Sequence, residues 1–313
     1  VHKKLIVDYA VYLIVRLLIC VVQALPLSAL EPACNQLGWF CWHVLKLRRR
    51  TVKENLAIAF PEMSNDDRER IALAMWRHLF LMIAEIAHAP RKVHRTNWKE
   101  HSSISDMRAA IRTLIDARPK VIISGHLGNF ELGGYLLALH GFATHTVARE
   151  LDNVFLDRFV NRFRGATGQY MLPKQGSGPE VTQLLERGGT LVLLGDQAGG
   201  KGGCWVDFFG KPASTHKAVA VFSLGSKAPT VVTAALRDGR PLSLCMQIGG
   251  IVDPNDTNFA WGTVPLLTQW YTSTLETLVR RAPDQYWWVH RRWKGDPSDR
   301  KRVRSERQRS QAA

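Results

Sequence analysis

The chain has no C-x-x-C pair and no regular cysteine spacing; its five cysteines, Cys20, Cys34, Cys41, Cys204 and Cys245, stand apart. That excludes a disulfide framework and reads as reduced, buried thiols in a cytosol-facing protein. Cys204 has no neighbour of the kind that activates a thiol nucleophile. A P-loop is excluded because Gly202, not Ser or Thr, follows Lys201, and residues 125–134 hold no G-x-G-x-x-G. No cofactor is expected, and no internal repeat is found. Acidic residues are scarce, 27 against 42 basic ones, which gives a formal charge of +15. Such a chain is drawn to polyanions: nucleic acid, anionic headgroups, phosphorylated glycolipids or an acidic carrier protein. Charge alone does not choose among them, but no recognisable nucleic-acid module accompanies it.

Long polar interruptions are also missing near the start. Leu5 to Leu30 is almost continuously apolar, long enough to span a bilayer. Asp8, Arg16 and Gln23 interrupt it at spacings of eight and seven, which puts them on one helical stripe. Arg16 at mid-bilayer costs roughly 2.5–3.5 kcal/mol. The stretch therefore reads as a membrane-embedded or interfacial helix whose polar stripe faces protein or headgroups. It is too long for a cleaved signal peptide and lacks a convincing cleavage site. Lys3 and Lys4 precede it, and the larger cluster Lys46, Arg48, Arg49 and Arg50 follows, so the main domain is expected on the cytoplasmic side.

Three units are expected: a membrane-anchoring helical segment over 1–47, a main domain over 48–293 and a basic, disordered tail over 294–313. Thr51–Phe60 reads as a short helix stopped by Pro61. Ser64, with Asp67 three residues on, caps a long helix whose core face carries Ile71, Met75, His78, Met82 and Ile86. From Lys120 onward, strand-like runs (121–124, 143–148, 169–172, 190–194, 205–209, 230–236, 242–248) alternate with helical ones near 130–140, 152–166, 178–187, 214–226 and 264–281. That pattern predicts an α/β fold, a largely parallel or mixed sheet flanked by helices.

In the run Val121–Glu131, a β-branched stretch ends at Gly125, His126 follows, and Glu131 stands five residues later. On one continuous helix residues five apart point about 140° away from each other. If His126 sits in a strand-to-helix loop and Glu131 in the helix after it, the carboxylate can reach back and orient a general base. Gly125 and Gly128 permit such a loop, and Asn129 is an apt N-cap. Spacing alone is weak evidence: His101/Asp106 and His145/Glu150 share it. Only His126 directly follows a strand-like run with glycines inside the loop; the other two read as solvated or core histidines. No second His or Cys stands at ligand spacing from His126, so no metal is expected.

Other strand ends carry polar groups, where open α/β sheets place ligands. Asp196 and Gln197 end the 190–194 run beside a glycine-rich loop, either lining a site or forming a self-capping turn. Arg149 ends another strand, and Arg164 lies on the next helix with Arg158 and Arg162; they read as anion or oxyanion binders or as plain surface charge. Pro283–Lys294 interleaves four aromatic with four basic residues, suited to an interface or to covering the sheet.

Four segments together resemble the late lipid A biosynthesis acyltransferases, a family that includes acyltransferases of mannosylated phosphatidylinositol. They are Val52-Lys53-Glu54-Asn55-Leu56 with Phe60-Pro61-Glu62, His126–Gly134, Gly195-Asp196-Gln197 through Phe208-Phe209-Gly210, and Pro283–Lys294. The resemblance implies a glycerolipid-acyltransferase-like fold with a membrane-associated N-terminal helix. It implies acyl transfer from a thioester, usually on acyl carrier protein, to a hydroxyl of an anionic membrane glycolipid at the inner membrane. His126 is then the base, Glu131 its orienting partner, and backbone N–H groups near Gly128, Asn129 and Phe130 at the helix start, or Arg164, receive the oxyanion. Asp196 matches a family position in or near the site. Two other readings stay open: an acyl-CoA-dependent acyltransferase of another lipid, and a non-enzymatic basic protein that binds membrane surfaces or nucleic acid.

Overall fold

The computed structural model of the chain describes residues 2–297; the expected tail falls outside them from residue 298 on. The N-terminal apolar stretch forms two helices, α1 (His2–Ala24) and α2 (Leu27–His43), broken at Pro26. The inner side of α1 packs on the body: Gln23 Nε2 donates to Ala87 O at 2.6 Å, and the Arg16 guanidinium lies 4.9 Å from the Phe159 ring centroid. Its opposite side leaves Ile6, Ile14, Leu17, Leu18 and Val21 exposed. The two helices are followed by α3 (Arg49–Ala59) and α4 (Asn65–Lys92), the latter capped by Ser64 Oγ accepting from the Asp67 N–H. By length and composition both α1 and α4 are apolar enough to cross a membrane, but α4 buries Met75, His78, Met82 and Glu85 inside the protein and is a core helix.

The remaining elements are β1 (Ser102–Ile104), α5 (Met107–Ile115), β2 (Lys120–Ser124), α6 (Phe130–Leu139), β3 (Thr144–Ala148), α7 (Val154–Gly165), β4 (Gln169–Pro173), α8 (Gly178–Glu186), β5 (Thr190–Leu194), β6 (Cys204–Phe208), β7 (Lys211–Thr215), α9 (Ala218–Ser226), β8 (Thr230–Arg237), β9 (Leu244–Val252) and α10 (Val264–Arg281). A seven-stranded sheet runs in the order β1-β9-β8-β2-β5-β3-β4, parallel throughout except where β8 meets β9. This is the mixed α/β sheet expected from the alternating runs. Strands β6 and β7 form a separate hairpin, so the helix expected over 214–226 begins only at Ala218.

Alternation along each strand divides the core. Val121 and Ile123 of β2 and Val232 of β8 face one way, into a cluster with Val181 of α8, Val219 of α9 and Leu275 of α10. Ile122 and Val231 face the other way, against Leu137 of α6. The helix after β2 thus covers one face and the helix after β5 the other. Their connecting loops diverge at the carboxyl ends of two adjacent strands and leave a crevice there, the usual place for a ligand in such sheets.

Candidate active site

Ser124 of β2 pairs with Leu194 of β5, and Gly195 N–H donates to Ser124 O at 2.8 Å. The loops after these strands therefore run side by side, and His126 meets Asp196 although 70 residues separate them. His126 Nδ1–H donates to Asp196 Oδ1 at 2.9 Å, and the His126 backbone N–H donates to Oδ2 at 3.0 Å. The carboxylate fixes the proton on Nδ1 and leaves the Nε2 lone pair free to act. Gln197 Nε2 donates into that lone pair at 3.2 Å and lies 3.3 Å from His290 Nε2.

The His126 side chain is 13% exposed and that of Asp196 2%. Burial pushes the imidazole pKa down, but the charge and hydrogen bond of Asp196, with a smaller push from Glu131, outweigh it and raise the pKa above the usual value. Burial likewise pushes Asp196 up, yet His126 holds it below the usual carboxylate range. A buried imidazole that gains basicity from a buried carboxylate is the arrangement a general base needs.

Glu131 makes its hydrogen bonds to Arg164 rather than to His126 and reaches the imidazole through its charge alone. It sits in the first turn of α6 and forms a two-pronged ion pair with Arg164 of α7, Oε2 to Nε at 2.9 Å and Oε1 to Nη2 at 2.5 Å. The start of α6 directs Glu131 toward α7, while strand pairing delivers Asp196 to His126 from across the sheet. Two of the loop amides near His126 are taken: Gly128 N–H donates to Gln285 O at 2.9 Å and Asn129 N–H to Ala235 O at 2.8 Å. Gly128 has φ of 64°, and a Cβ there would stand 2.0 Å from Ala235 O, so only glycine allows this close approach. Asn129 does cap α6, accepting from Leu132 N–H. Arg149 is exposed at the rim and pairs with Asp152 at 3.1 Å. The two decoy histidines are held elsewhere: His101 Nδ1 lies 2.9 Å from Leu242 O, and His145 stacks on Tyr170.

Two features were not apparent in the sequence. Beneath the loop, buried Glu85 accepts from Arg237 Nε at 2.7 Å and Nη2 at 2.8 Å, from Leu242 N–H at 3.0 Å and from Asn129 Nδ2 at 2.8 Å. Arg237 Nη1 also donates to His78 Nδ1 at 2.7 Å, and His78 Nε2 donates to Gly128 O at 3.2 Å. Burial, then the Arg237 charge, push His78 down to about 3, so it is a neutral spacer. Of this network the sequence pointed to His78, on the core face of α4, and to Asn129, as the N-cap of α6, but not to Glu85 or Arg237. Above the loop, residues 283–294 close the site rather than offer their aromatics to an outside partner. Trp287 N–H donates to His126 O at 3.0 Å, and the Trp287 and His290 rings lie 5.3 and 4.9 Å from the imidazole. Asn55 Nδ2 ties this segment to α3, donating to Trp288 O at 2.7 Å and His290 O at 2.6 Å. Phe60, Phe209 and Trp288 pack ring against ring at 5.5–5.9 Å. The segments that carried the resemblance thus converge on one place.

A cavity of about 620 Å³ opens beside His126, with Phe130, Glu131, Arg149, Arg164 and Gln197 in its wall. It falls in the usual size range of a ligand site, about 300–1,000 Å³.

The sequence pattern of the bacterial lipid A biosynthesis acyltransferases matches residues 2–295. The lipid A biosynthesis palmitoleoyltransferase of Escherichia coli (strain K12) is 24% identical over 273 residues, covering 84% of each chain. The myristoyltransferase of the same strain is 24% identical over 83% of this chain and 79% of its own. The lauroyltransferase is 24% identical over 83% and 84%. A crystal structure of the 1-acyl-sn-glycerophosphate acyltransferase PlsC from Thermotoga maritima shows a weaker likeness, TM-score 0.39 and 13% identity over 84% of this chain and 100% of that one.

Proposed function

Because the chain belongs to the bacterial lipid A biosynthesis acyltransferase family, we propose that it moves a fatty acyl group from an acyl thioester to a hydroxyl of a lipid A precursor, with His126 as general base and Asp196 as its orienting carboxylate. The acceptor hydroxyl replaces the Gln197 amide at His126 Nε2. Its oxygen attacks the thioester carbonyl carbon as its proton passes to Nε2, and the Asp196 carboxylate stabilises the imidazolium that forms. The tetrahedral intermediate collapses, the C–S bond breaks, and the departing thiolate takes the proton back. No enzyme-bound acyl intermediate is needed.

The amides of Gly128 and Asn129 are spent, so the oxyanion falls to the Phe130 N–H at the start of α6 or to side chains. The displaced Gln197 amide is the nearest side-chain donor. Arg164, gripped by Glu131 through Nε and Nη2, keeps Nη1 for a phosphate or carbonyl of the substrate. The donor we favour is acyl carrier protein, an acidic partner for a chain of charge +15. The exposed apolar face of α1 lies in the cytoplasmic leaflet of the inner membrane, where such a donor and an anionic acceptor meet.

The observation that carries this reading is the 2.9 Å bond between His126 Nδ1 and a carboxylate 2% exposed. The test incubates purified enzyme in lipid vesicles with acyl carrier protein thioesters and a lipid A precursor, and weighs the products. One added acyl mass is expected, reduced to a small residual rate in His126→Ala; retention of full activity by that variant refutes the chemistry. Competition with acyl-CoA decides the donor.

A further inference from the structure

From the catalytic loop the cavity runs inward beneath α6, between Gly133, Gly134 and Leu137 on the helix and Ile122, Thr233 and Met246 on the sheet. From Phe130 to Leu137 the helix rises about 10 Å, so this arm is a narrow apolar passage of that order. Its roof lacks side chains where it matters. A Cβ on Gly133 would lie 3.1 Å from Ala235 Cβ and 3.9 Å from the Met246 methyl, and one on Gly134 would collide with the Gln169 side chain. Two adjacent glycines weaken a helix by about 1 kcal/mol each relative to alanine, and here they let the helix backbone come close to Ala235 and Gln169, which keeps the roof of the arm thin.

Beyond the arm lies a second void of about 30 Å³, lined by Ile104, Leu114, Val231 and Ile248. Ile122, Leu137, Thr233 and Met246 border both spaces. Of these, Met246 is unbranched with three rotatable bonds, the adaptable member of the partition, and its methyl stands under Gly133.

We propose that Met246 is the end wall of the acyl-chain seat and sets the longest chain this enzyme transfers. The inference rests on the acyl-transfer reading above. With the carbonyl at His126, the chain's methyl end stops against Met246. Truncating Met246 joins the two voids and removes three side-chain heavy atoms, which makes room for about three methylenes before the second void is counted. Each buried methylene favours the longer donor about fourfold, the equivalent of about 0.8 kcal/mol.

The experiment offers the enzyme in vesicles an equimolar series of saturated acyl thioesters differing in length, with one acceptor, and reads product masses. In Met246→Ala the longest accepted chain grows, and its kcat/KM relative to the wild-type optimum rises about fourfold per methylene admitted. Met246→Phe, which keeps the wall filled, moves the optimum to shorter chains and serves if the alanine variant does not fold. Active variants that both keep the wild-type length profile overturn the proposal while leaving acyl transfer intact. Failure of the wild-type protein to transfer any acyl group overturns the functional reading itself, and this proposal with it.

Discussion

Replacing Asp196 with Asn changes few atoms but removes one of two acceptors that His126 needs. In the native site one carboxylate oxygen takes the Nδ1 proton and the other the backbone N–H. An amide has a single oxygen, so its NH2 must face one of those two donors. Either the loop loses its anchor, or Nδ1 becomes an acceptor and the proton moves to Nε2, where it blocks the reaction. A hydrogen bond to a charged group is worth about 1.5–3 kcal/mol, which at 1.36 kcal/mol per decade corresponds to a loss of about 10- to 150-fold in kcat. KM for the acyl donor should change little, because Asp196 is 4% exposed and lies behind the imidazole. The assay is a double-mutant cycle on kcat. In a His126→Ala background Asp196→Asn should cost nothing further, whereas Glu131→Gln should be non-additive with Arg164→Met. If instead Glu131→Gln is silent in the His126→Ala background while Asp196→Asn keeps its full effect there, the assignment of the orienting carboxylate is wrong.

The pH profile of kcat/KM follows from the same pair. The base acts as neutral imidazole, and Asp196 raises its pKa, so the rate should fall as pH drops through a value above about 6.5; in Asp196→Asn that limb should move to lower pH, and an unmoved limb refutes the coupling. Glu85→Ala strands Arg237 in the core and should cost about 3–5 kcal/mol of stability, read by chemical denaturation in detergent. Replacing both Leu17 and Leu18 with Glu, exposed on α1 at 65% and 59%, should lower vesicle partitioning at least about 100-fold in flotation, from about 1.5–3 kcal/mol lost per side chain. Unchanged partitioning would remove that face from the membrane.

The central strands were readable because strands buried on both faces are continuous apolar runs: Val121-Ile122-Ile123 and Leu191-Val192-Leu193-Leu194 stand out against their surroundings. β1 and β7 were not readable. One is three residues long, and the other, Lys-Pro-Ala-Ser-Thr, carries a proline and a single β-branched residue. The proposed base was legible from its local setting, the carboxylate that hydrogen-bonds it was not. Glu131 is near in sequence; Asp196 is near only once β5 is known to lie beside β2, and strand order is a property of the whole sheet. Asp196 and Gln197 did show themselves as polar groups at a strand end, the signal that placed them in the site without a role. Glu85 and Arg237, 152 residues apart, gave no paired signal at all.

The segment over His126 has a consequence for how the protein comes into being. Asn55 grips the backbone of residues 288 and 290, contacts spanning 233 and 235 positions. Residue 283 is synthesised long after α1, so in the growing chain the imidazole lacks Trp287 and His290 until the last elements are made. Contacts of such range close late. The surroundings of His126 are therefore completed only when nearly the whole chain has been made.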